Sequence, residues 1–112
     1  MRELVEIKCV ACKKGAPQVS PDELAEFIPQ IPDWKIVEHD GIKRLVRVFI
    51  FPDFCEALEF TNRVGQLAEA EDHHPDLIVK YGSCRVVYST HSIGGLSEND
   101  FICAKKIDNI LA

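Results

Sequence analysis

The chain has 112 residues, the size of a single domain, and at 46% hydrophobic it can build a core without disulfide staples. A formal net charge of −5, with no dense Lys/Arg cluster, argues against a nucleic-acid binder, which would normally present a basic face. No apolar run approaches the roughly 20 residues of a membrane span, and Met1-Arg2-Glu3-Leu4-Val5-Glu6-Ile7 lacks a signal peptide's apolar stretch, so a cytoplasmic location is expected.

Residues 1–19 read as a short packed arm, and residues 20–112 as the domain proper. In the arm, Cys9-Val10-Ala11-Cys12 has the spacing of half a zinc knuckle. A closed site needs four ligands, and no second C-x-x-C follows. Reduced thiols, a metal shared between subunits and a redox pair stay open. Cys55, Cys84 and Cys103 fall in periodic segments and suit small core or interface positions.

Ser20-Pro21-Asp22-Glu23 is a capping box with proline at the first helical position, and Leu24, Phe27 and Ile28 then supply a short apolar face. Trp34 to Val37 and Ile42 to Phe51 are rich in β-branched and aromatic residues around Asp40-Gly41, a hairpin signal. Arg44 to Phe51 is apolar on both faces. That suits a strand buried between layers, or a surface used for self-association.

Asp53-Phe54-Cys55-Glu56 opens the longest helical pattern, with Phe54, Ala57, Leu58, Thr61, Val64, Leu67 and Ala68 at three- and four-residue steps. Phe54, Phe60 and Val64 are candidates for pairing subunits through this helix; so are the edge strands. Leu77 to Tyr81 and Cys84 to Thr90 form a second hairpin around Gly82-Ser83. Ser97-Glu98-Asn99-Asp100 caps a third helix through Phe101, Ala104, Ile107, Ile110 and Leu111. The order α-β-β-α-β-β-α predicts an α+β two-layer domain: a four-stranded antiparallel sheet with helices packed on one face.

Two of the four histidines stand together in Ala70-Glu71-Asp72-His73-His74-Pro75-Asp76, at the end of the second helix. Neighbouring residues diverge by about 100° on a helix and point to opposite faces of a strand, so the pair is poorly placed to converge on one metal ion. No metal ligands are assigned. Taken alone, the pair could simply complement the negative end of the helix dipole. His91 changes the weighing. The second hairpin should return it beside His73 and His74, with Glu69 one turn back on the helix. Three imidazoles at one sheet end can donate and accept protons near neutrality. His39, in the first hairpin turn, suits a solvated turn residue.

An acid, three residues, His-His-Pro, five residues, an aromatic, nine residues, His, eight residues and Asp run here as Glu69, His73-His74-Pro75, Tyr81, His91 and Asp100. This spacing resembles the pterin-4a-carbinolamine dehydratase family, whose animal members double as a dimerisation cofactor for a homeodomain transcription factor. The resemblance covers about Ser20 to Ala112 and implies dehydration of 4a-hydroxytetrahydropterin to quinonoid dihydropterin and water. That step recycles the tetrahydrobiopterin-type cofactor of aromatic amino acid hydroxylases and needs no metal or organic cofactor.

By the same resemblance, His73 and His91 are the acids that meet the leaving hydroxyl. His74 mainly binds substrate, with some base character. Glu69 accepts from the pterin's amino and ring N–H groups. Pro75 and the Thr90-His91-Ser92-Ile93 backbone line the ring's edge, and Trp34 supplies an aromatic wall or packs in the core. Asp100 is a substrate-site residue that orients His91, or only a helix cap; Tyr81 shapes the pocket floor. The whole is expected as one dry-walled hollow. Expected partners are a reduced pterin, a second or further copies of the chain in a homodimer or homotetramer, and functionally a hydroxylase. Neither nucleic acid nor membrane is among them. Two other readings remain: a dimerising or regulatory interaction module with the same fold and little catalysis, and a metallohydrolase.

Overall fold

The computed structural model describes residues 3–4 and 18–111. The Cys9 and Cys12 pair lies outside the described residues. Of the arm, Leu4 is fully buried in the core, and its N–H donates to Gln30 Oε1 at 3.0 Å.

Helix α1, Pro21–Phe27, starts as its capping box requires: the Glu23 N–H donates to Ser20 Oγ at 3.2 Å, and the Ser20 N–H to Glu23 Oε1 at 3.0 Å. A 3-10 turn, Ile28–Gln30, extends it. Strands β1, Lys35–His39, and β2, Ile42–Ile50, join through Asp40 and Gly41 at φ 53° and 76°. Positive φ at both central residues is what a tight two-residue turn of type I′ demands.

Helix α2, Phe54–Glu71, is capped by the Asp53 carboxylate, which accepts from the Glu56 N–H at 2.9 Å. Strands β3, Asp76–Lys80, and β4, Ser83–Tyr88, form the second hairpin. A 3-10 turn at His91–Ile93 leads to helix α3, Glu98–Asp108.

The sheet is four-stranded and antiparallel in the order β1-β2-β4-β3, so the α+β architecture expected from the sequence is the one observed. Its inward face carries Leu45, Phe49, Cys84, Val86 and Tyr88, all buried, against Phe60 and Val64 of α2 and Phe101, Ala104 and Ile107 of α3. Phe49 and Phe60 lie 4.6 Å apart, and Phe27 and Phe101 5.5 Å apart, between ring centroids. Each such ring adds about 1.5–3 kcal/mol on burial.

Phe60 and Val64 are therefore core residues and not a subunit-pairing face; on α2 it is Phe54 and Leu58 that are exposed. Cys84 and Cys103 are buried, whereas Cys55 is exposed. Among the described residues, β2 is covered on one face only. Val48 and Ile50 lie on its open side, 49% and 76% exposed, so in the single chain the strand is not buried between layers. No described helix is long and apolar enough to cross a membrane.

Candidate active site

The hairpin register assembles the site. Asp76 pairs with Val87, so the residues before β3 lie beside those after β4. This brings His73-His74-Pro75 to the sheet end where Thr90 and His91 begin the next turn. Two further local devices set His73. Asp72 adopts a left-handed conformation at φ 51°, ψ 41°, its N–H donating to Glu69 O at 3.3 Å. The His73 N–H donates to Ala68 O at 3.1 Å. Together these are the two bonds of a Schellman motif, which folds the chain back over the last helical turn.

His73 Nε2 then lies 2.7 Å from Asp100 Oδ1. Asp100 has no exposed surface, and a buried carboxylate is costly unless its lone pairs are met. Here they are met: Oδ2 accepts from Thr90 Oγ1 at 2.9 Å and from the Ser97 N–H at 2.8 Å. Thr90 Oγ1 is also 2.7 Å from Ser97 Oγ. Burial pulls the His73 pKa down, but the hydrogen bond and charge of Asp100 outweigh it, and the net shift is upward from 6.5. With Nε2 committed to Asp100, Nδ1 is the ring nitrogen left to exchange a proton.

The other expected residues are more open. His74 Nε2 lies 3.4 Å from Glu69 Oε2, with the two side chains 54% and 79% exposed. So exposed a pair is weakly held. His91 and Ser92 are exposed, and Pro75 and Ile93 are half-buried. Thr90, the neighbour of His91, and His73 bind the two oxygens of one carboxylate, so the His91 turn starts one carboxyl group away from the His73 ring. A groove of about 650 Å³ lined by Thr61, Asn62, Gly65, Gln66, Glu69 and Leu77 runs beside α2. Among the described residues, no three His, Cys, Asp or Glu side chains are grouped to hold a metal ion.

Several expectations need correction. Asp100 is a buried anchor for His73; it touches neither solvent nor the His91 ring in any described bond. The reason is the turn after Thr90: Thr90 pairs with Gly95, so Thr90 faces α3 while His91 stays outside. The Thr90 side chain is likewise buried and bonded inward, whereas the expectation at Thr90 concerned its backbone. Trp34 is a core residue. Its ring packs edge-on against Phe49 at 6.1 Å, and its Nε1–H donates to Asp108 Oδ1 at 2.8 Å. Arg47 reaches the same oxygen at 2.7 Å; burial pushes the Asp108 carboxyl up while these two donors hold it down.

Tyr81 forms no pocket floor. It sits 71% exposed at the β3–β4 turn, at the end of the hairpin away from His73. In place of the expected dry-walled hollow, Glu69, His74 and His91 are each exposed to solvent in the single chain. One important neighbour was missed. Tyr88 stacks on His73 with ring centroids 5.2 Å apart at 16°, and its hydroxyl donates to His73 O at 3.1 Å. The inward phase of Cys84, Val86 and Tyr88 was the available signal, since a phenol placed in a core must find an acceptor.

Comparison with known proteins identifies the family. A family model for pterin 4 alpha carbinolamine dehydratase matches residues 17–110. A relative from Nitrosococcus oceani, provisionally named pterin-4-alpha-carbinolamine dehydratase, is 50% identical over 99% of this chain and 98% of its own length. One from Gloeobacter violaceus with the same provisional name is 52% identical over 97% and 94%. These matches run across nearly all of the N-terminal arm as well as the domain.

Among solved structures, a transcriptional coactivator/pterin dehydratase from Brucella melitensis superposes with a TM-score of 0.76. It is 31% identical and covers 86% of this chain and 100% of its own. A pterin dehydratase-like protein described as a RuBisCO assembly factor in the alpha-carboxysome shares the fold at a TM-score of 0.58. At 16% identity over 70% of this chain and 88% of its own, it speaks to the fold alone. With the fold, the histidine spacing and the full-length relatives in agreement, the chain belongs to the pterin-4-alpha-carbinolamine dehydratase family.

Proposed function

We propose that this protein dehydrates 4a-hydroxytetrahydropterin to quinonoid dihydropterin and water, with His73 and His91 as proton donors. The observation that carries the reading is the His73–Asp100 pair. A buried carboxylate shifts the His73 ring toward its protonated form, and one ring nitrogen is left to deliver its proton. In the reaction the C4a–O bond breaks, the departing hydroxyl takes a proton and leaves as water, and a ring N–H of the pterin gives up a proton to a base. His74 serves as that base in this reading, and its proton returns through solvent to the donor. No net proton, electron or cofactor is consumed.

Glu69 accepts hydrogen bonds from the amino and ring N–H groups of the substrate, supported by its exposed carboxylate beside His74. Pro75, Ser92 and Ile93 line the ring. The product is the oxidised pterin that a reductase returns to the cofactor pool of aromatic amino acid hydroxylases, in a cytoplasmic setting. A homodimer or homotetramer belongs to the same reading, supported by the exposed apolar side chains Val37, Val48, Ile50 and Ile78 on the sheet.

Stopped-flow measurement of carbinolamine loss tests the assignment. The protein should accelerate the spontaneous reaction, and His73→Ala and His91→Ala should each lower kcat by about 10²–10⁴-fold. A wild-type protein that leaves the spontaneous rate unchanged would overturn the enzyme reading in favour of an interaction module with this fold.

A further inference from the structure

Tyr88 has no exposed surface, so it cannot touch a substrate, yet both its polar and its aromatic parts are engaged with the same residue. Its ring covers the His73 imidazole at 5.2 Å with the planes 16° apart. Its hydroxyl donates to the His73 carbonyl oxygen at 3.1 Å. A buried phenol needs an acceptor somewhere, and many core carbonyls would serve. This one spends its bond on the backbone of the residue beneath its ring, between the left-handed Asp72 and His74-Pro75, where chain direction changes.

The combination leaves His73 few freedoms. The Asp100 bond fixes Nε2 but leaves the ring able to rock about that contact. A stacked neighbour removes the rocking, and the hydroxyl fixes the peptide from which the ring springs. The negative face of the phenol also meets the positive charge of an imidazolium.

We propose that Tyr88 is a positioning residue for His73, its ring setting the imidazole plane and its hydroxyl setting the backbone, so that Nδ1 is held where the proton must be delivered. The inference rests on the reading of His73 as a proton donor. Asp100 and Cys103 from α3 and Asp72 from the end of α2 are the other titratable groups acting on the ring, and they are left in place by the test.

The experiment compares wild type with Tyr88→Phe and Tyr88→Leu in the full chain. Tyr88→Phe keeps the stack and loses the hydroxyl bond; Tyr88→Leu loses both. Expected are a kcat lowered about 10-fold in Tyr88→Phe and about 10²-fold in Tyr88→Leu, with KM within about twofold of wild type. The His73 ring resonances, followed by NMR through a pH titration without substrate, should titrate lower in Tyr88→Leu than in Tyr88→Phe. Wild-type kcat and an unmoved His73 titration in a folded Tyr88→Leu protein would overturn the proposal. If Tyr88→Leu does not fold, wild-type kcat in Tyr88→Phe overturns it alone. Failure of the underlying reading is separate: His73→Ala would then retain full activity, while the substrate-free titration would still report whether Tyr88 acts on the ring.

Discussion

Asp100 sits without exposed surface among Phe101, Ile102 and Cys103, and the donors that satisfy it come from three different places in the chain: the end of α2, the end of β4 and the cap of α3. One carboxylate thus ties His73 to the core. Its consequence for stability has a definite sign. Because the folded-state pKa of His73 is raised, the pair stabilises fully below the unfolded value of about 6.5. That contribution is lost as pH rises through the folded pKa. Thermal unfolding followed across this window should show the decline in wild type and not in His73→Asn, which cannot ionise. Asp100→Ala, which removes one partner of a buried pair, should cost about 3–5 kcal/mol by denaturant titration.

At this scale the sequence was legible only in part. The spacing from Glu69 to Asp100 picked out residues that the fold brings to one sheet end, but not which histidine Asp100 contacts. That depended on the turn after Thr90, whose pairing with Gly95 no spacing encodes. Trp34 was ambiguous for a different reason, because a pocket wall and a core both ask for an aromatic ring. Tyr88 was hidden inside an ordinary strand pattern.

Among the elements, capping chemistry and hairpin turns carried the most information. Ser20, Asp53 and Ser97 start the three helices, and Asp40-Gly41 sets the β1–β2 register, because these short-range bonds depend on little beyond the local chain. The end of α2 is subtler, since a left-handed residue that is not glycine marks it. Asp and Asn tolerate this conformation, whereas a β-branched side chain there costs about 1–2 kcal/mol. Asp72→Asn should therefore unfold at nearly the wild-type denaturant midpoint. Asp72→Val should lose about that amount and lower kcat as well, since the same turn places His73. Equal midpoints for the two variants would contradict the role given to this turn.

Across the described residues, the two-layer fold has helices on a single side, and the other sheet face keeps Val37, Val48, Ile50 and Ile78 exposed. The apolar excess of Arg44 to Phe51 was visible in the sequence; that its outer half stays bare in one chain was not, because alternation alone does not say how many layers will form. Light scattering should give a mass at a multiple of the 12.6 kDa chain, and a strict 12.6 kDa species at micromolar concentration would contradict the oligomer reading.

At the centre of the proposed mechanism, a buried carboxylate raises the His73 pKa so that the ring can give a proton to a departing hydroxyl. The pH dependence of kcat/KM for carbinolamine dehydration in wild type and Asp100→Asn tests it most directly. The wild-type rate should fall on an alkaline limb whose midpoint lies above the ordinary histidine value of about 6.5, and that midpoint should move downward in Asp100→Asn. An alkaline limb at the same pH in both proteins would contradict the account.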